Sequence, residues 1–204
     1  MLFLKKGVLF LNSKFHFYDF NSQYEWDKIW SREKEQTWRN YEKSFEEVAK
    51  RIDSGTKVLD AGCGLGLLLD YLSQQNTCKT IGLDISKVAI DEVKNKGHEG
   101  YLSNLPEIPL EDNSVDVVCA TELLEHIRFP DDVIKSFKRV CNPQGKIIIV
   151  VPNEVLGPLD LSQHYRAYTP ENLEEFLNNY FNNVEIVSFE DRGPRILACC
   201  INDK

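Results

Sequence analysis

Val58-Leu59-Asp60-Ala61-Gly62-Cys63-Gly64-Leu65-Gly66 decides the fold: a strand-like apolar run ends near an acid, and glycines follow at every second position. Glycine lets the chain turn sharply and lets a ligand reach the main chain with no Cβ in the way. In open parallel sheets, ligands bind beyond the carboxyl ends of the strands, where such a turn lies. Spacing separates this loop from two others rich in glycine. A dinucleotide fingerprint G-x-G-x-x-G needs its third glycine where Leu67 stands, and Gly66 comes one residue early. A phosphate-cradling P-loop needs Gly-Lys-Ser/Thr after its spacer, and none follows. No basic residue in the loop faces a pyrophosphate; Asp60 introduces it instead, which suits a cationic cofactor. On the loop alone, a tight turn that packs a helix on a strand remains open.

Outward from the loop, strand and helix signals alternate. Upstream, Tyr24 to Ile52 reads as one helix with Trp38, Tyr41, Phe45 and Val48 at spacings of three and four, broken by Asp53-Ser54-Gly55. Downstream, Lys57 to Ala61 predicts a strand, Leu65 to Gln75 a helix, and Lys79 to Leu83 a second strand. Ser86 suits the N-cap of a helix to Lys96. Gly100 to Ser103 is a short third strand, and apolar Val115 to Ala120 a fourth, of the kind buried on both faces. A helix over Asp131 to Cys141 ends in an Asn142-Pro143-Gln144-Gly145 turn before a fifth strand, Lys146 to Val151. Thr169-Pro170 starts a helix to about Tyr180. The last two strands, Val184 to Glu190 and Arg195 to Ile201, have so short a link that they pair antiparallel. The expected fold is α/β: a Rossmann-like, doubly wound, mostly parallel seven-stranded sheet whose last strand is antiparallel. Residues 1–55 form an expected N-terminal helical cap, and 56–204 the catalytic domain.

Asp84 follows the second strand about twenty residues beyond the loop, where a carboxylate can accept hydrogen bonds from both hydroxyls of a ribose. Together with Asp60 to Gly66, the run Gly82-Leu83-Asp84-Ile85-Ser86 resembles the class I S-adenosylmethionine-dependent methyltransferases, in their small-molecule branch. The likeness continues through Leu105-Pro106-Glu107-Ile108-Pro109-Leu110-Glu111-Asp112-Asn113-Ser114-Val115-Asp116, Thr121-Glu122-Leu123-Leu124-Glu125-His126, and Arg139-Val140-Cys141-Asn142-Pro143-Gln144-Gly145-Lys146. It is close from Lys57 to Pro152 and a matter of pattern in the last fifty residues.

The resemblance implies S-adenosyl-L-methionine as cofactor and S-adenosyl-L-homocysteine as product. It assigns Asp60, Ala61, Gly62 and Gly64 to the methionine part, Asp84 to the ribose, and Ile85 to the adenine face. Asn104 stands where relatives more often carry Asp; its amide oxygen still accepts from the adenine amino group, and the Leu105 amide meets a ring nitrogen. Thr121 lies where sulfonium and acceptor meet. The Asn/Asp-Pro-Pro-Tyr/Phe tetrapeptide of adenine and glutamine N-methyltransferases is absent: the chain reads Ala120-Thr121-Glu122-Leu123. Cys119 lacks the preceding proline of cytosine-C5 enzymes and reads as a core residue.

His126 is the candidate catalytic base, one turn beyond Glu122, so that both side chains share a face; packing beside the site explains it equally well. His164-Tyr165-Arg166-Ala167-Tyr168 reads as a substrate lid or as cover for the sheet edge. Tyr18, Tyr24, Trp26 and Trp30 close over the cofactor or pack the core.

Acidic residues (32) outnumber basic ones (24), for a formal charge of -8, which opposes nucleic acid and anionic lipid as partners and leaves a small-molecule substrate. Six cysteines without a C-x-x-C pair read as free thiols in a reducing compartment, and the scattered histidines give no metal pattern. The apolar stretch Leu2 to Leu11 is interrupted by Lys5, Lys6 and Gly7 and is too short for a membrane span or a signal core. The expected protein is cytoplasmic, with no membrane insertion, and a monomer or homodimer. Two rivals predict other outcomes: a cofactor-binding module without catalysis, and a nicotinamide-dependent oxidoreductase, which the glycine spacing opposes.

Overall fold

A computed structural model describes residues 21–33, 38–75, 78–153 and 163–204. Leu2 to Leu11, Tyr18 and the Trp38 side chain lie outside the described residues.

The strands that carry the loop are apolar along most of their length, and each is buried accordingly. Strand β1 (Lys57–Ala61) is buried at every position after the first. It pairs in parallel with β2 (Lys79–Asp84) on one side and β4 (Val115–Thr121) on the other. Strand β2 pairs in parallel with β3 (Glu99–Leu102), and β4 with β5 (Cys141–Pro152). The last strand, β7 (Pro194–Ile201), runs antiparallel to both β5 and β6 (Val184–Glu190). The seven strands therefore lie in the order β3-β2-β1-β4-β5-β7-β6. The chain winds outward from β1 to β3, then crosses back to β4. That reversal opens a crevice at the carboxyl ends of β1 and β4, the usual ligand position in doubly wound sheets.

Alternation along β5 shows why both faces need cover. Ile147, Ile149 and Val151 are buried in one core cluster, while Ile148 and Val150 are buried in another. Helix α5 (Pro130–Val140) contributes Val133, Ile134 and Phe137 to the first cluster, and α6 (Pro170–Leu177) contributes Leu173 and Leu177. The second is covered by α2 (Glu42–Ala49) through Phe45 and Val48, and by α3 (Leu67–Gln75) through Leu68 and Leu72. Ser86 caps α4 (Lys87–Asn95) by accepting from the Ala89 amide. Five cysteines are buried free thiols, and Cys78 is half-buried. No described helix is long and apolar enough to cross a membrane.

Two expectations need correction. The single helix over Tyr24 to Ile52 is instead α1 (Gln23–Arg32), a 3-10 turn at Trp38–Tyr41, and α2. The physical reason is two destinations: Phe45 and Val48 anchor in the sheet core, whereas α1 buries no residue fully and lies against α4. The Asn142-Pro143-Gln144-Gly145 turn is part of β5, absorbed as an irregularity with Gln144 at φ 63 and a register shift opposite Val115 and Val117. Asn202, fully buried, holds it by donating to the Cys141 carbonyl at 2.9 Å.

A Cβ at Gly145 would lie 2.6 Å from the Asp116 carbonyl and 2.9 Å from that of Asn142, and backbone cannot rotate away. Gly145→Ala should therefore cost about 1–3 kcal/mol and lower the melting temperature by roughly 2–12 °C in a thermal unfolding scan. An unchanged midpoint would show that β5 is looser here than its hydrogen bonds indicate.

Candidate active site

The glycine loop turns in a way side chains rarely permit: Gly62, Gly64 and Gly66 have φ of 74°, 49° and 75°. The amides of Gly62 and Cys63 both donate to the Leu83 carbonyl, at 2.7 and 3.0 Å, which ties the loop to β2. A Cβ on Gly62 would meet Leu123 at 2.7 Å, and one on Gly64 would meet the Trp30 ring at 2.8 Å.

Asp84 closes the next corner. Its Oδ2 accepts from the Gly64 amide at 2.9 Å and its Oδ1 from the Ser86 amide at 2.8 Å. Burial pushes this carboxyl up to about 6, opposed by the Ser86 and Gly64 amides. Asp60 is 1% exposed, and its Oδ1 has no hydrogen-bond partner among the described residues. Burial, then the charge of Asp84, holds it well above the usual carboxylate range.

Helix α1 lies over this corner. Asp27 accepts from the Ser86 hydroxyl at 2.5 Å and the Val88 amide at 3.1 Å, so it serves as a second cap on α4. Trp26 stacks on Trp30 at 5.8 Å between centroids and meets His126 edge-on at 5.1 Å. Tyr24 is two-thirds exposed and takes no part.

After β4, Glu122 adopts φ 52°, and a short 3-10 turn covers Leu124–His126. The expected shared face of Glu122 and His126 is therefore not formed. Glu122 pairs with Arg195 at 2.9 Å, while His126 faces the Gln163 carbonyl through Nδ1 at 3.1 Å and packs on His164 at 4.7 Å between centroids. Burial, and His164 beside it, pull the His126 imidazole down to about 4. Of the residues read as a substrate lid or as cover for the sheet edge, Tyr168 is buried in the α5–α6 core and Tyr165 stays exposed.

Asp60, Gly62, Gly64, Asp84, Ile85, Asn104, Leu105, Thr121 and His126 all line one cleft of about 240 Å³. One buried water needs only ~10–15 Å³, so this is a ligand cavity and not a packing defect. Ala61 is the exception: its side chain is fully buried in the sheet core. Sequence reasoning missed Asn21, Ser103, Leu123 and Ile127 on the cleft wall, and Asp27 behind it. A capping acid sixty residues from its helix leaves no local signal.

A family model described as a methyltransferase domain matches residues 31–190, and the chain belongs to that family. With its seven-stranded sheet, it has the family and fold of the class I S-adenosylmethionine-dependent methyltransferases, whose cofactor is S-adenosyl-L-methionine. It is 27% identical over 177 residues to a mitochondrial ubiquinone biosynthesis O-methyltransferase of Dictyostelium discoideum, covering 71% of this chain and 54% of that protein. The chain thus spans about half the length of the curated relatives it matches. Its fold is shared with an S-adenosylmethionine-dependent methyltransferase from Archaeoglobus fulgidus (TM-score 0.72, 18% identity, 85% of this chain and 99% of that one). It is shared too with a Haemonchus contortus phosphoethanolamine N-methyltransferase in complex with S-adenosylhomocysteine (TM-score 0.67, 16% identity, 81% of this chain and 52% of that one).

Proposed function

We propose that the chain transfers a methyl group from S-adenosylmethionine to an oxygen of a small-molecule acceptor, with Asp60, Gly62, Gly64, Asp84, Ile85, Asn104 and Leu105 holding the cofactor. The observation that carries this reading is the single cleft: its β1–β2 end offers bare main chain and two buried carboxylates, its β4 end Thr121, His126 and aromatic walls. The donor set fits a cationic nucleoside. Asp60 presents a buried oxygen with no partner among the described residues, Asp84 has lone pairs left for a sugar, and Gly64 lets Trp30 close on the loop where a side chain would collide with its ring. The cofactor supplies an electrophilic methyl group with a good leaving group. The protein's part is alignment, an effect that reaches about 7–11 kcal/mol in well-oriented model reactions.

Ala61, whose side chain is buried in the core, takes part through its main chain at the strand end. The Dictyostelium relative supports oxygen over nitrogen or carbon. The acidic balance supports a small molecule over nucleic acid, and six free thiols support a reducing, cytoplasmic setting. The described residues before 56 serve as a cap on a catalytic body of 56–204, within an expected cap of 1–55: Trp26 and Trp30 support the cap, while Phe45 and Val48 fasten it to the body.

His126 lines the acceptor end of the cleft together with Thr121 and Glu122, and its role in this reading is to take the acceptor's hydroxyl proton. His126→Ala should lower turnover roughly 100-fold, the lower end of what a positioned acid or base supplies, and leave the cofactor dissociation constant within about threefold. Equal turnover by the variant would remove the residue from the chemistry. The reading itself is tested with methyl-labelled S-adenosylmethionine and a panel of phenols, enols and amines. Label in a methyl ether supports it; label on an amine only, or none despite saturating cofactor binding, contradicts it.

A further inference from the structure

Glu125, His126 and His164 show no ligand spacing in the sequence, yet the fold gathers them: one donor atom from each lies within 4.8 Å of the other two. The first two follow β4, and the third follows β5. The pieces are tied together by main chain. The Tyr165 amide donates to the Glu125 carbonyl at 2.8 Å, and the Gln163 carbonyl faces both Asn21 Nδ2 at 2.9 Å and His126 Nδ1 at 3.1 Å.

That last bond fixes the tautomer. A carbonyl only accepts, so Nδ1 carries the hydrogen and Nε2 presents its lone pair, 3.9 Å from Glu125 Oε1. Histidines that bind metals ordinarily donate their other ring N–H to a carbonyl or carboxylate in this way. Glu125 is 1% exposed, and His126 borders the cleft. Two imidazoles and one carboxylate form a donor set of catalytic zinc and related first-row sites, which keep a further position open. Glu122 is outside this set, being held by Arg195 at 2.9 Å.

We propose that Glu125, His126 and His164 bind one divalent first-row transition-metal ion at the acceptor end of the cleft, leaving a coordination position that faces the acceptor. Tetrahedral bonds of ~2.0–2.1 Å put ligand atoms roughly 3.3 Å apart, so side-chain rotations must close the present spacing by about 1.5 Å at most. With the ion bound, His126 Nε2 is a ligand in place of a base, and the open position orients an acceptor oxygen. That use rests on the methyl-transfer reading above; the ion's binding does not.

The test uses the full chain, stripped with a chelator and titrated with cobalt(II) chloride without cofactor or acceptor. The readouts are visible ligand-field absorption and metal content after desalting. One cobalt ion per chain is expected, lost in His164→Ala and Glu125→Gln, and retained in His98→Ala, whose ring is held elsewhere by Asp70 at 2.9 Å. Circular dichroism and S-adenosylmethionine affinity check that the variants fold; if one variant fails, the other decides. Absence of stoichiometric uptake by the native chain, or equal uptake by a folded variant, overturns the proposal. Cobalt uptake without S-adenosylmethionine binding would instead count against the methyl-transfer reading alone.

Discussion

Asp84→Ala should raise the dissociation constant for S-adenosylmethionine about 10–150-fold, corresponding to the 1.5–3 kcal/mol of hydrogen bonds to a charged acceptor. The side chain stands at the tip of β2, with each oxygen already taking one backbone amide, from Gly64 and from Ser86. Those two bonds fix the carboxylate's orientation before any ligand arrives, and the remaining lone pairs face the cleft. Alanine removes both the grip on the sugar and the tie that holds the loop at Gly64. A pH profile separates this role from general damage. Burial raises the Asp84 carboxyl to about 6, with Asp60 and Asp27 as the neighbouring acids. The ionised form is the better acceptor. Cofactor affinity in the native chain should therefore strengthen as pH rises through about 6, and that change should flatten in the variant. Calorimetry at several pH values reads both; a dissociation constant unchanged by the substitution would move the ribose elsewhere.

Asp60→Asn should act in opposite directions on stability and on binding. In the ligand-free protein this carboxyl is buried with an unpartnered oxygen, and burial and Asp84 hold its proton affinity well above normal. A group whose folded-state pKa is raised gives stability that is fully present below the unfolded value of about 3.9 and is lost as pH rises through the folded value. At pH 8 the native chain therefore bears the cost of either charging a buried carboxyl or keeping it protonated, a cost that asparagine lacks. The variant should melt about 2–8 °C higher at pH 8 without cofactor, from about 1–2 kcal/mol, and the gap should close below pH 4. Its affinity for S-adenosylmethionine should fall at least tenfold, since charge-assisted bonds are roughly twice as strong as neutral ones. A variant both less stable and equally tight would show that Asp60 serves the sheet and not the ligand.

What the sequence made legible was local. Gly62 to Gly66, Asp84 and Ser86 each act within a few residues of their own position, and the apolar runs at Leu59, Val118 and Ile148 need only a period of two to read as strands. Loop and strand tips together place nearly every expected cofactor contact on one cleft. Ala61 stands apart because strand alternation points its side chain into the core, one residue short of the turn, which leaves only its main chain toward the cleft. The break between α1 and α2 is illegible because one apolar stripe serves two targets, the cleft at Trp30 and the sheet at Phe45. Glu122 departs from helical expectation because Arg195, seventy-three residues away, draws it off at φ 52°. Contacts such as Asp27 with Ser86, or His126 with His164, exist only after β1–β5 have assembled, so no spacing announces them.

The most direct test is a crystal structure with S-adenosylhomocysteine bound. Density for the nucleoside should lie across the carboxyl ends of β1 and β2, with both ribose hydroxyls within hydrogen-bond reach of Asp84 and the amino-acid moiety against Gly62, Gly64 and Asp60. A nucleoside bound away from these residues, or a sugar held by other groups with Asp84 turned aside, would contradict the account.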